Sequence, residues 1–405
     1  MTPSGILFLL AGIVITSILS TKRVLRSSVL PWLLFFYHLA IALYYWQYTL
    51  SKGGDSVSYY KNIKGQNSLG TGTQFVEWLL SSIDVVFSAS YLDYFFLFQT
   101  FGFLGICLVY MIVREVLPGE LSQKGKLSLQ AFLFFPNLHF WTSAIGKDSL
   151  IFFGITLSIW GLLSYRKRMP ALVFGLVLVY FIRPHVAGFF LASVFLALIW
   201  GTGISLRWRI IGTILTSFVL ILLMPKITEF VGLETVSTQS VGDYLYKRQG
   251  LNLEGGSSVN IRDYNVPLKL FTFLFRPLFF DAKGLLWVLV SFENLAYIVF
   301  AYLMVSKQLW AVLWHFKVSF FMRFNLFFFL IGTIFFSLSI SNMGIAIRQK
   351  TMLLPSFMIL VIAVMTLKEY QSKGRSTQET RQHMEVPTEG GVAHGVLPGE
   401  QGTGG

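Results

Sequence analysis

Residues 135–155, "FPNLHFWTSAIGKDSLIFFGI", set Lys147 and Asp148 side by side between two apolar runs. In a soluble protein that pair would be an ordinary surface turn. Between segments apolar enough to dissolve in lipid it needs a partner or a purpose, because a charge at membrane depth costs about 2.5–3.5 kcal/mol on insertion scales. Whether the flanking runs are membrane helices therefore decides how the whole chain is read.

Working outward, the same composition continues. The 405 residues are 54% hydrophobic, 17% aromatic and 13% charged, with a mean hydropathy of +0.65. Soluble domains carry about 25% charged residues, so this chain has about half the usual charge. Apolar runs long enough to cross a bilayer recur along it. The sequence predicts an all-α polytopic bundle of about eleven transmembrane spans. They fall near 3–20, 29–50, 92–113, 127–140, 148–164, 170–183, 185–203, 210–224, 285–305, 323–341 and 350–368. Pro136 and Pro184 interrupt apolar stretches, which membrane helices tolerate where neighbours re-satisfy the freed backbone. Residues 74–90 carry Glu77 and Asp84 and read as interfacial or re-entrant. The transmembrane domain spans 1–369, with a long extracytoplasmic loop at about 225–284. The polar, glycine-rich 370–405 reads as a disordered cytoplasmic tail.

The net charge of +13 does not indicate nucleic acid. The basic residues lie in short clusters between apolar runs, as topology requires. "TKRVLR" (21–26), "YRKR" (165–168), "SLRWR" (205–209), Lys307 to Arg323 and Lys368 to Arg375 share one side, expected to be cytoplasmic. The first apolar run is followed, not preceded, by Lys22 and Arg23, the reverse of a cleaved leader. An uncleaved first helix with its N-terminus outside is expected. The single cysteine, Cys107, lies in an apolar run and forms no intrachain disulfide. The six histidines show no paired metal-ligand spacing, and no metal site is expected.

With that topology the outer face collects ionisable groups from separate segments. Asp55 follows "GG"; Lys147 and Asp148 open a helix; Arg183 and His185 flank Pro184. Arg276 and Asp281 come from "FRPLFFD", Glu293 from "SFEN" and Arg348 from "IRQK". Each has a bland reading. Lys147 and Asp148 suit a helix cap, Arg183 a snorkelling arginine, His185 a satisfied polar contact and Asp55 a turn. As a set they suit phosphate chemistry. Guanidinium groups grip phosphate bidentately, and a carboxylate can take a proton from a sugar hydroxyl. The expected binding set is Lys147, Asp148, Arg183, His185, Arg276 and Arg348, with Asp148 orienting Lys147. Asp55, Asp281 and Glu293 are the candidate catalytic bases.

The motifs "FFPNLHFWTSAIGKDSL" (134–150), "YFIRPHVA" (180–187), "GGSS" (255–258), "FRPLFFD" (275–281), "SFEN" (291–294) and "IRQKTMLLP" (347–355) occur in this order. Over residues 50–365 they resemble bacterial oligosaccharide repeat-unit polymerase-like proteins, a group similar to O-antigen polymerases. The resemblance implies a glycosyltransferase of the inner (plasma) membrane. It would act at the outer face on a polyprenyl diphosphate-linked glycan, with no cofactor. Membrane lipid and other polysaccharide-assembly proteins are the implied partners. One pattern of O-antigen polymerases, Arg-x10-Gly, is missing: eleven residues past Arg248 and Arg262 stand Val259 and Phe273. A glycan transporter and a non-catalytic assembly subunit are the rival readings. Transporters usually carry midplane charges and repeated halves, whereas here the charges gather at helix ends.

Overall fold

The computed structural model describes residues 2–65, 68–117, 119–200, 205–231, 238–251, 256–314 and 319–384. Among them the regular structure is helical, apart from one isolated bridge between Ser258 and Asn342. The first nine helices are α1 (Pro3–Thr21), α2 (Leu30–Lys52), α3 (Asp55–Lys61), α4 (Thr73–Phe87), α5 (Tyr91–Val116), α6 (Gln123–Leu133), α7 (Pro136–Thr142), α8 (Lys147–Leu163) and α9 (Tyr165–Ile182). The remainder are α10 (Pro184–Ile199), α11 (Leu206–Val231), α12 (Thr238–Leu251), α13 (Val266–Phe275), α14 (Leu285–Met304), α15 (Lys307–Trp314), α16 (Ser319–Ser339), α17 (Met343–Lys350) and α18 (Leu354–Met384).

By length and composition, six of these helices can cross a membrane: α1, α5, α11, α14, α16 and the first part of α18. A seventh span arises if α7 and α8, bent by 107°, are counted as one. The eleven expected spans are therefore not reached. The clearest departure is 127–140, where one span was expected. Phe134 and Phe135 leave helical geometry before Pro136, which disfavours the helical conformation in the residue before it. The resulting eleven-residue α6 rises only about 16 Å, half of a hydrocarbon core. Residues 74–90 form α4, also too short to cross. It packs on α3 and α9, with Asp84 accepting hydrogen bonds from Tyr94 Oη at 2.7 Å and Ala89 N at 3.1 Å. Within the long segment 225–284, α12, α13 and the end of α11 are helical, while 232–237 and 252–255 lie outside the described residues. α18 runs past residue 370, where the tail was read to start, and 385–405 lie outside the described residues.

The core is phenylalanine-rich and continuous through α5, α8, α16 and α18. α5 and α8 run parallel. Phe101 meets Phe153, and Glu115 accepts from Ser164 Oγ at 3.0 Å. Those two pairs put Lys147 level with Phe95 to Phe98, about 6–10 Å along α5 from its start. α8 thus begins one to two turns inside the bundle. The α7–α8 break is tolerated at that depth because protein encloses it: Thr142, Ser143, Ala144 and Ile145 are all buried. α7 lies hard against α5 at Gly102, where any Cβ would sit 2.0 Å from the Thr142 carbonyl oxygen.

Candidate functional site

The first turn of α8 is the centre of the site. Gly146 precedes it at φ 145, a conformation L side chains avoid, and a Cβ there would press on the Tyr59 ring at 3.0 Å. This turn buries Asp148, which is 7% exposed. Both its oxygens are engaged: Arg183 Nη2 lies 3.5 Å from Oδ1, and Arg348 Nε donates to Oδ2. Arg348 also reaches Asp55 Oδ2 through Nη1 at 2.6 Å, and its guanidinium faces the Trp141 ring 5.5 Å away. Arg183 Nη1 donates to Gln349 Oε1 at 2.7 Å. Its Nε is buried with no hydrogen-bond partner among the described residues.

Each arm of this cluster has a local cause. Arg183 precedes Pro184, so it is driven out of helical geometry (φ −148, ψ 84) and ends α9. The side chain is thereby placed at the α9–α10 corner beside Asp148. α17 is fixed by its N-cap, Asn342, whose Oδ1 accepts from Ile345 N at 3.2 Å. The 257–259 loop clamps it further: Met343 N donates to Ser257 O at 2.9 Å and Val259 N to Ser341 O at 2.8 Å. Asp55 opens α3 as a first-turn acid. Burial alone would push its carboxyl up. The neighbouring Arg348 guanidinium outweighs burial and holds it below the usual carboxylate range. Arg348 itself is desolvated, yet Asp148 and Asp55 drive it further toward the charged form.

Two cavities flank α17. A polar cleft of about 250 Å³ is lined by Lys147, Arg183, His185, Tyr244, Arg248 and Gln349, with Phe335 and Phe336 as walls. His185 lies stacked on Phe335 at 5.6 Å. On the other side is an apolar groove of about 590 Å³, lined by tyrosines of α2, by Phe140 and Trp141 at the end of α7, and by α14. Ile345 and Gln349 face the cleft, while Gly344 and Ile347 face the groove. One helix of eight residues separates them.

The structure brings together Asp55, Lys147, Asp148, Arg183, His185 and Arg348. It changes the expected roles of four groups, Asp148, Arg276, Asp281 and Glu293. Asp148 does not orient Lys147: it is taken up by two arginines, and Lys147 Nζ donates instead to Thr73 Oγ1 at 2.9 Å. Arg276 forms a two-point pair with Asp281 five residues on, at 3.0 and 2.5 Å. It also contacts Phe280, so it serves its own loop and not the cluster. Asp281 is bound by Arg276 and by Leu278 N, leaving it poorly suited as a base. Glu293 lies on α14 and lines the apolar groove.

Sequence reasoning missed Gln349, Thr73 and Trp141 as members of the site, and it placed Arg248 on the outer face without including it in the binding set. Gln349 adjoins Arg348 in "IRQK", and Trp141 lies inside the opening stretch, but neither is charged, so neither stood out. A buried histidine pair was also missed. His38 Nδ1 and His139 Nδ1 lie 2.9 Å apart, joining α2 to α7, and His139 Nε2 contacts Leu133 O at 2.7 Å. They are a hundred residues apart in the chain, and no spacing rule reaches that far.

Compared with known proteins, the chain matches no family model, no curated protein and no solved structure.

Proposed function

We propose that this protein is a membrane-embedded glycosyltransferase of the repeat-unit polymerase type, acting on a polyprenyl diphosphate-linked oligosaccharide at the outer face of a bacterial plasma membrane. The observation that carries this reading is the placement of the cations. Groups from three segments distant in sequence meet in a recessed cleft, one helix away from an apolar groove. A ligand that is both polyanionic and lipid-linked suits that pairing.

In this reading Lys147, Arg183 and Arg248 hold the diphosphate, with Arg183 Nε supplying a donor that no other described residue uses. Asp148 and Gln349 fix the guanidinium planes beforehand, so little ordering is left to binding. The acceptor hydroxyl oxygen forms a bond to the anomeric carbon as the bond from that carbon to the phosphate oxygen breaks. The diphosphate departs with the electron pair, its growing charge met by the cations. The hydroxyl proton passes to a carboxylate. Asp55 is the most exposed carboxylate of the cluster, at 59%, and only its Oδ2 is engaged by Arg348. The cluster of Arg166, Lys167 and Arg168 lies at the opposite end of α8 and α9, where Arg168 pairs with Glu115 at 2.9 Å. Under the positive-inside rule that end is cytoplasmic and the cleft faces outward.

The test is the lipid-linked saccharide pool of a deletion strain, together with extension of a purified lipid-linked repeat unit by reconstituted protein. Accumulated single units and extension in vitro are expected. Normal polymer in the deletion strain would overturn the reading, and transbilayer movement without extension would replace it with transport.

A further inference from the structure

The groove between α2 and α14 contains a carboxylate that the cationic cluster does not use. Glu293 is 5% exposed and lies furthest along α14 of the residues lining the groove. Its Oε1 accepts a hydrogen bond from Asn137 N at 2.7 Å. Its Oε2 is buried with no partner among the described residues. The aspartates differ: both oxygens of Asp148 and both of Asp281 are engaged. A buried carboxylate oxygen without a donor is costly. Facing a cavity, it marks where a ligand's donor fits.

The rest of the groove defines that ligand. Ile41, Tyr44 and Tyr48 form one stripe along α2, at helical spacing, and Leu286 and Val290 face them from α14. Tyr44 and Leu286 are also exposed, so the groove is open along its apolar side, where α14 is long and apolar enough to meet lipid. Its volume of about 590 Å³ holds roughly twenty groups of water's size, about 30 Å³ each. That is room for the bulk of a lipid chain, and the largely aromatic and aliphatic lining favours hydrocarbon over a polar metabolite. A cationic head is disfavoured. Lys350, buried on α17, already stands near Glu293, donating to Leu274 O at 2.8 Å and Asn294 Oδ1 at 2.6 Å.

We propose that the α2–α14 groove binds an uncharged long-chain alcohol, its chain against the aromatic walls and its hydroxyl donating to Glu293 Oε2. The site shares its groove with the lipid part of the ligand proposed above, but it concerns binding alone and its test needs no transfer step, so failure of glycan extension and failure of alcohol binding are separate outcomes.

The test uses the full-length protein in nanodiscs with a photoactivatable farnesol analogue and its methyl ether, which has the same chain but no donor. The alcohol should crosslink within 37–48 or 285–293. It should bind about two- to tenfold more tightly than the ether, the range for one hydrogen bond between uncharged groups. In Glu293→Leu that ratio should fall to near one, and in Ile41→Trp, which fills the groove, both probes should lose their crosslinks there. Because the ratio is internal to each protein, altered folding yield does not mimic it. Equal binding of alcohol and ether by the wild type would overturn the proposal, as would crosslinks confined to other helices or an unchanged ratio in Glu293→Leu. The wild-type ratio decides the matter even where a variant fails to fold.

Discussion

Asp148→Asn is the sharpest perturbation of the cluster. The carboxylate is buried and holds two guanidiniums, Arg183 and Arg348, whose side chains are 12% and 22% exposed. Asparagine keeps the shape and one acceptor but removes the charge that balances them. Breaking a buried ion pair by removing one partner costs about 3–5 kcal/mol. The lower end applies here, because Arg348 keeps Asp55 and Arg183 keeps Gln349. An unfolding entropy of about 2.1 cal/mol/K per residue, over 405 residues, converts about 3 kcal/mol into a fall in Tm of about 4 °C. Asp55→Asn is the control. Its side chain is 59% exposed, so it should cost no more than about 1 kcal/mol, roughly 1 °C. The assay is thermal unfolding of purified protein in one detergent, followed by tryptophan fluorescence. A shift within about 1 °C for Asp148→Asn, or equal shifts for the two variants, would refute the view that Asp148 is the buried keystone of the cluster.

Arg183→Ala should weaken binding of a lipid-linked diphosphate about ten- to a hundredfold. Arg276→Lys should leave binding intact and loosen only its own loop, since its fork is spent on Asp281; equal losses of affinity would show that Arg276 belongs to the site after all. Gly102→Ala should block folding, because its Cβ would need the space of the Thr142 carbonyl oxygen, a backbone atom that cannot step aside; normal yield of folded protein would contradict the α5–α7 contact. For pH, the folded-state carboxyls of Asp55 and Asp281 titrate below their unfolded values, which are near 3.9. Their contribution is therefore complete above about pH 5 and is lost as pH falls through the folded values, below about pH 4. The difference in Tm between wild type and Asp55→Asn, measured from pH 8 to 3, should be flat until that window and shrink within it, and a difference already lost near pH 6 would refute the assignment.

The sequence by itself marked the helical class and several members of the charged cluster. Composition and run length make the chain an α-helical membrane protein, because in lipid an apolar segment must satisfy its backbone internally. The cost of charge at membrane depth singled out Asp55, Asp148, Arg183 and Arg348, and the structure joins these four into one network. Proline grammar also carried through locally, since Pro184 turns Arg183 into the site. Only the tertiary structure decided who pairs with whom. Asp148 lies next to Lys147 in sequence, yet it bonds Arg348, two hundred residues away. Neighbours on a helix point about 100° apart, so adjacency in the chain does not make them face each other. Run length likewise failed at 127–140, since hydropathy measures how apolar a segment is, not whether it is straight. The bend at Pro136 is affordable only because other helices bury the exposed backbone around it. The same limit holds for Arg276 and Glu293. Their charge marked both as needing partners. Where each found one depended on packing: a carboxylate five residues away for Arg276, and a backbone amide of α7 for Glu293.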